Sequence, residues 1–273
     1  MNARDTDLVR VDAAGRTLDL EVAFVGEGGA PPLVFLHEGL GSVAMWKDFP
    51  ARLCERLGRR GLVYSRFGYG RSTPRPAGER FPVRFMEREA REVLPALLDA
   101  LGIARADLFG HSDGGSIALL AAADQPGRYG AVVALAPHLF VEPISVQSIA
   151  EAKTAYLEQG LRERLARYHA DVDSAFWGWN DVWLDPEFLH WNIEDEVARI
   201  RCPLLAIQGV DDEYGTLEQI RAIARRLPKT RLLELPNCGH SPHRDQPEAV
   251  IAATAAFLGA GPSPEPKPQE SRE

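Results

Sequence analysis

Along most of the chain, short apolar runs alternate with longer segments of helical periodicity. That is the pattern of an α/β fold built on a mostly parallel central sheet flanked by helices. "LDLEVAFVG" alternates apolar and polar residues like a hairpin strand with one solvated face. "LVFLH" (33–37), "LVYS" (62–65), "ADLFG" (106–110), "AVVALA" (131–136), "PLLAIQG" (203–209) and "RLLELP" (231–236) are continuous apolar runs that predict buried strands. Between them, "VAMWKDFPARLCERL", "VRFMEREAREVLPALLDALG", "GSIALLAAADQP", "TLEQIRAIARRL" and "PEAVIAATAAFLG" predict the flanking helices. In the second of these, Met86, Ala90, Val93, Leu94, Leu97, Leu98 and Leu101 recur at steps of three and four, which gives one apolar face. Pro95 inside it predicts a kink, because proline lacks the backbone donor and crowds the preceding turn.

The alternation breaks once. From 137 to 201 no strand-like run occurs, and "VEPISVQSIAEAKTAYLEQG", "LRERLARYHADVDSAFWGWNDVW" and "DPEFLHWNIEDEVARI" predict helices. The expected organisation is a sheet core from 1–136 and 202–258, with an all-helical lid insertion at 137–201 over the carboxyl end of the sheet. The tail 259–273, "GAGPSPEPKPQESRE", is rich in proline and charge and is expected to be disordered.

Composition narrows the partners. With 39 Asp and Glu against 31 Lys and Arg, the chain has no global basic field for nucleic acid. The start "MNARDTDLVR" lacks the apolar core of a secretory signal, and no stretch approaches the roughly 18 apolar residues of a membrane span. A cytoplasmic protein acting on a small molecule, with no membrane partner, is expected. Cys54, Cys202 and Cys238 have neither metal-site nor disulfide-framework spacing and read as free thiols in or near the core, Cys238 being close in sequence to His240. No cluster has metal-ligand spacing, and neither metal nor cofactor is expected.

The candidate chemistry centres on Gly110-His111-Ser112-Asp113-Gly114, which fits G-x-S-x-G with a strand before it and a helix after it. A helix-capping serine would explain the position of Ser112 but would leave the glycines on both sides without a cause. A nucleophile on a strained turn explains both, and the following helix aims the backbone N–H of Asp113 at a developing oxyanion. Such a serine needs a base and an acid later in the chain. Asp211 and Asp212 follow the strand "PLLAIQG", and His240 follows "RLLELP", all at the carboxyl edge of the sheet where such folds bind ligands.

Up to the tail, the chain resembles the α/β-hydrolase family through "HEGLGS", "GHSDGG", "IQGVDDEYG" and "PNCGHSPHRDQPEAV", in family order. The resemblance selects Asp212 as the triad acid and His240 as the general base, with His243 the weaker candidate. It makes Gly39 the second oxyanion donor, on a loop where Glu38 replaces the usual glycine. Glu38 has two readings: it turns away and fixes the loop, or it lines the pocket. Arg66 and Arg71, in the segment "YSRFGYGRS", read as loop anchors, with an Arg66–Glu38 pair as the minority alternative. The S-D-G-G sequence is similar to that of the biphenyl-hydrolase-like (valacyclovirase) branch, which implies that Asp113 meets a substrate ammonium; the same carboxylate is also placed to cap its helix.

The insertion carries Trp177, Trp179, Trp183 and Trp191. A small helical unit needs large side chains for its own core, and one or two of the first three are expected to reach the pocket, favouring a substrate with an apolar or aromatic part. His138 follows a strand end at the site edge and reads as pocket-facing or as a hinge histidine, while His169 and His190 read as structural. The expected function is hydrolysis of a small carboxylic ester through a Ser-His-Asp triad and acyl-enzyme. Carbon–carbon bond hydrolysis of ring-cleavage products, thioester hydrolysis and a non-catalytic ligand-binding protein are the alternatives.

Overall fold

The structure is a computed structural model and describes residues 6–259. Its strands are β1 (Asp7–Ala13), β2 (Arg16–Val25), β3 (Leu33–Leu36), β4 (Gly61–Tyr64), β5 (Ala106–His111), β6 (Tyr129–Leu135), β7 (Leu204–Gly209) and β8 (Arg231–Leu235). They form one eight-stranded sheet in the order β1-β2-β4-β3-β5-β6-β7-β8, antiparallel at β1–β2 and β2–β4 and parallel elsewhere. The fold is therefore the mixed, mostly parallel α/β sheet expected. The strand not anticipated is β1, although "DLVRVDA" alternates as β2 does. Ala14 and Gly15 both have positive φ (55° and 73°), the two-residue turn whose twist suits a hairpin.

The helices are α1 (Phe49–Leu57), α2 (Phe85–Arg88), α3 (Leu94–Ala100), α4 (Asp113–Asp124), α5 (Pro143–Glu158), α6 (Leu161–Leu165), α7 (Val172–Trp183), α8 (Glu194–Val197), α9 (Glu218–Arg226), α10 (Pro242–Asp245) and α11 (Pro247–Gly259). Strand period divides the core in two. Val34 and Leu36 of β3 pack with Met86, Leu94, Ile117 and Leu120, whereas Leu33 and Phe35 face Phe49, Leu53 and Val250. The sheet is thus covered by α2–α4 on one face and by α1 and α11 on the other.

Pro95 does more than kink its helix. A π-helical turn, Glu89–Val93, joins α2 to α3, so that Pro95 falls in the first turn of a new α-helical segment, where its missing N–H has no rung to break. The turn also carries Glu89 inward, where its carboxylate accepts a hydrogen bond from Tyr64 Oη at 2.8 Å.

Between β6 and β7 lie α5 to α8, with a single bridge, Phe140–Asn192, as the only extended pairing there among the described residues. The predicted helix 161–183 is broken into α6 and α7. At the break, the Ala170 N–H bonds to Gly70 O and Asp171 caps α7 by accepting from the Ser174 N–H. The predicted helix 185–200 is mostly a short 3-10 turn, Phe188–His190, followed by α8. The expected tail lies outside the described residues except for Gly259, which closes α11. Cys54, Cys202 and Cys238 are free thiols. Among the described residues no helix is long and apolar enough to cross a membrane, and no group of His, Cys, Asp or Glu side chains could hold a metal ion.

Candidate active site

β5 delivers Ser112 and α4 leaves from it. Ser112 has φ 53° and ψ −122°, a region costly for a residue with a Cβ, and its side chain makes no capping bond to α4. The helix-cap reading of Ser112 is therefore set aside. The flanking glycines are fixed by close approach: a Cβ on Gly110 would lie 2.1 Å from Gly114 O, and one on Gly114 would lie 2.1 Å from Leu36 O. Turn and helix can meet the sheet this closely only without side chains.

The loops after β7 and β8 bring an acid and a base to this serine. His240 Nε2 lies 2.9 Å from Ser112 Oγ, and His240 Nδ1 lies 2.8 Å from Asp212 Oδ1. Because a carboxylate only accepts, Nδ1 carries the proton and Nε2 offers its lone pair to the hydroxyl. Asp212 also accepts from the N–H groups of Tyr214 (2.8 Å) and Gly215 (3.2 Å) and from Gln208 Nε2 (3.1 Å). Burial pushes its carboxyl up, but His240, with the Tyr214 N–H and His138, outweighs burial and holds it below the usual range. For His240 burial pushes down, and Asp212 together with Glu213 and Glu38 more than reverses it, so the imidazole titrates above its ordinary value. Asp211 is exposed and makes no such contact. His243 is not a second base: its ring is buried 4.8 Å from both Trp46 and His111, and burial holds it well below the usual histidine range.

The backbone around His240 is gripped by acids that sequence reading passed over. The His240 N–H donates to Glu213 Oε2 at 3.0 Å and the Gly239 N–H to Asp245 Oδ2 at 3.0 Å. Their only sequence signal is position, one residue past the acid and five past the base.

On the loop after β3, the Glu38 carbonyl accepts from His37 Nδ1 (2.7 Å), Arg66 Nη2 (2.9 Å) and the Gly41 N–H (3.1 Å). The peptide is trans, so this grip turns the Gly39 N–H to the opposite side, away from Arg66. The Asp113 N–H precedes the first rung of α4, Ser116 N–H to Ser112 O, and is likewise free of the helix ladder. A Cβ on Gly39 would lie 2.1 Å from Trp179 Nε1, which explains the glycine. The Glu38 side chain turns toward His111 (Oε2 to Nδ1, 3.5 Å), in keeping with the loop-fixing reading. Arg66 meets the Glu38 carbonyl rather than its carboxylate, and Arg71 anchors its loop through its N–H to Glu21 and its guanidinium to Thr6.

Asp113 is fully buried. Its Oδ1 accepts from Trp183 Nε1 at 3.2 Å and its Oδ2 lies 3.6 Å from Arg66 Nη2. The carboxylate thus neither caps α4 nor stands open to a substrate ammonium. Trp179 and Trp183, four residues apart on one face of α7, both reach the site; Trp183 also packs edge-on to His138 at 4.8 Å. Trp177 does not reach it. Helical period turns its ring to Tyr156 (5.6 Å) and to the Lys153 ammonium (5.7 Å) on α5. His138 lies 5.8 Å from the His240 ring, and burial pushes it down to about 3, so it is neutral. His169 ties the helical segment to the core, accepting from the Gly70 N–H (3.0 Å) and donating to Leu40 O (2.9 Å), while His190 is exposed.

A hydroxyl, an oriented imidazole and a buried carboxylate converge here, a set able to carry acyl transfer. A family model described as "Alpha/beta hydrolase family" matches residues 33–253. A 2-hydroxy-6-oxononadienedioate/2-hydroxy-6-oxononatrienedioate hydrolase of Comamonas testosteroni is 26% identical over 263 residues, covering 86% of this chain and 90% of that protein. Serine hydrolase BPHL of Homo sapiens is 29% identical over 184 residues, covering 64% of this chain and 61% of that protein. A solved carboxylesterase structure from Nitrososphaera gargenis superposes with a TM-score of 0.74 at 19% identity, covering 92% of this chain and 97% of that one.

Proposed function

We propose that this chain, which belongs to the alpha/beta hydrolase family, is a serine hydrolase that cleaves a small carboxylic ester. The observation that carries the reading is the line Ser112 Oγ, His240 Nε2, His240 Nδ1, Asp212 Oδ1, with contacts of 2.9 and 2.8 Å at its two ends. Ser112 attacks the ester carbonyl as His240 takes its proton, and the N–H groups of Gly39 and Asp113 receive the oxyanion. His240 then returns the proton to the leaving alcohol, leaving an acyl-serine. Water, deprotonated by the same imidazole, releases the acid. Asp212 stabilises the imidazolium in both halves. Trp179 and Trp183 beside the site favour a substrate with an apolar or aromatic part.

One observation favours a second reading. The Comamonas relative, named for dienedioate and trienedioate substrates, aligns over 86% of this chain, and carbon–carbon hydrolysis would use the same site. The test is a panel of aryl esters, alkyl esters and a vinylogous diketone, with Ser112→Ala as the blank. Ester turnover that vanishes in the variant supports the proposal; turnover of the diketone alone replaces it with the second reading. If a fluorophosphonate probe fails to label Ser112 in folded protein, the site binds without catalysis.

A further inference from the structure

Two side chains next to the reacting groups take no part in that chemistry. His111 directly precedes Ser112 and is 1% exposed. Its Nε2 lies 2.7 Å from the backbone carbonyl of His240. A carbonyl only accepts, so Nε2 bears hydrogen and donates. The other nitrogen, Nδ1, is buried with no hydrogen-bond partner among the described residues, and the nearest carboxylate oxygen, Glu38 Oε2, stands 3.5 Å away. Glu38 directly precedes Gly39, the second oxyanion donor of the proposed mechanism.

The three parts of the site thereby meet through covalent neighbours, by a hydrogen bond at one junction and by the approach of a carboxylate at the other. The oxyanion loop reaches the elbow through Glu38, and the elbow reaches the base loop through His111. The bland account of His111 is packing, since its ring lies 4.8 Å from His243 and 6.5 Å from Trp46. Packing would be served by an apolar side chain. It explains neither the 2.7 Å bond to the carbonyl of His240 nor a carboxylate facing the second nitrogen.

We infer that Glu38 and His111 are positioning residues that hold His240 against Ser112 and keep the oxyanion loop in register with the elbow, a role that rests on the serine-hydrolase reading above. Glu38 has an electrostatic effect as well. The titratable groups around His240 are Asp212, Glu213 and Tyr214 after β7, Glu38 after β3, Asp113 on α4, His111 on β5, His138 after β6 and His243 on α10. Asp212, Glu213 and Glu38 stabilise the imidazolium, so loss of the Glu38 charge makes His240 easier to deprotonate. The acid limb of the pH profile then moves to lower pH.

The test uses the full chain with para-nitrophenyl butyrate, comparing wild type, Glu38→Gln, His111→Leu and His111→Gln, with Ser112→Ala as the blank. Misplacement of a catalytic group by about 1 Å costs on the order of 10²-fold. A tilt short of that predicts a kcat about tenfold lower in His111→Leu, with KM changed by less than about twofold and partial recovery in His111→Gln. In Glu38→Gln, kcat falls and the acid limb of kcat/KM shifts to lower pH, a shift that a purely structural defect would not produce. Glu38→Gln changes charge without volume at a partly exposed position, so it decides the matter if a His111 variant does not fold. Wild-type kcat together with an unmoved acid limb in Glu38→Gln overturns the inference while Ser112-dependent turnover stands. Absence of any Ser112-dependent turnover in wild type overturns the reading beneath it.

Discussion

A serine hydroxyl is useful as a nucleophile only while a neutral base waits for its proton. In the proposed mechanism that condition is met at Ser112 by His240, with its tautomer fixed by Asp212 at 2.8 Å. Ser112→Ala should lower kcat by at least about three orders of magnitude, in line with removal of a triad nucleophile, leaving what oxyanion binding alone supplies. Steady-state turnover of the best ester checks this, and retention of most activity would sink the assignment. The pH dependence has a definite sign. His240 titrates above its ordinary 6.5 because, against burial, Asp212 with help from Glu213 and Glu38 stabilises the cation. Its neutral form is the active one, so kcat/KM should fall as pH drops through a value above 6.5. Asp212→Asn removes the stabilising charge, so the residual activity should show its acid limb at lower pH than wild type. An unmoved limb would mean that another group controls it.

At the scale of elements, what could be read from the chain is what local chemistry dictates. The strand–elbow–helix unit was legible because Gly110 and Gly114 are required within a few residues of Ser112, each by a contact that would fall to 2.1 Å with a Cβ in place. The alternation of strands and helices was legible for the same reason, as was the convergence of Ser112, Asp212 and His240 on one sheet edge. The break between α6 and α7 was not. Its residues have helical character, but His169 and Ala170 are drawn out of register by bonds to Gly70 and Leu40, about a hundred or more residues away in sequence. Trp177 likewise looked equivalent to Trp179 until the helix phase was known. Glu213, Asp245 and His111 act on the backbone of the base, a relation that no spacing rule encodes. The glycine argument is testable. Gly114→Ala must push Leu36 O away and should cost about 3 kcal/mol, the upper end of overpacking penalties. Gly115→Ala meets Pro137 Cβ at 3.1 Å and Leu135 O and Pro137 Cα at 3.3 Å, milder approaches that a helix-propensity gain of about 0.8–1 kcal/mol partly offsets, so it should cost clearly less than Gly114→Ala. Equal shifts in the urea midpoint of the two variants would refute the close-approach explanation.

For the molecule as a whole, Arg66 is the cation on which the interior converges. It is 2% exposed, follows β4, and holds the Glu38 carbonyl of the oxyanion loop at 2.9 Å. It also lies 3.6 Å from Asp113 of the elbow helix, covers the Tyr69 ring at 4.7 Å, and is the main favourable charge for Glu89 in the π-helical turn. Burial pushes the carboxyls of both Asp113 and Glu89 up, and Arg66 is the largest influence pulling each back. Arg66→Met therefore leaves two buried carboxylates without their cation, at a cost of about 3–5 kcal/mol by analogy with other broken buried pairs. The cost must depend on pH. A carboxyl whose folded pKa lies above its unfolded value binds more protons folded than unfolded, so stability is lost as pH rises from the unfolded pKa through the folded one. Without Arg66 both folded values rise further from 3.8 and 4.5, and this window widens upward. The deficit of Arg66→Met relative to wild type should thus be smaller near pH 4 than at pH 7, and Asp113→Asn in the same chain should recover part of it at pH 7 only. Urea unfolding of the three chains at the two pH values measures this. A deficit independent of pH would mean that Arg66 stabilises the fold by packing and by its hold on Glu38, not by neutralising the carboxylates around it.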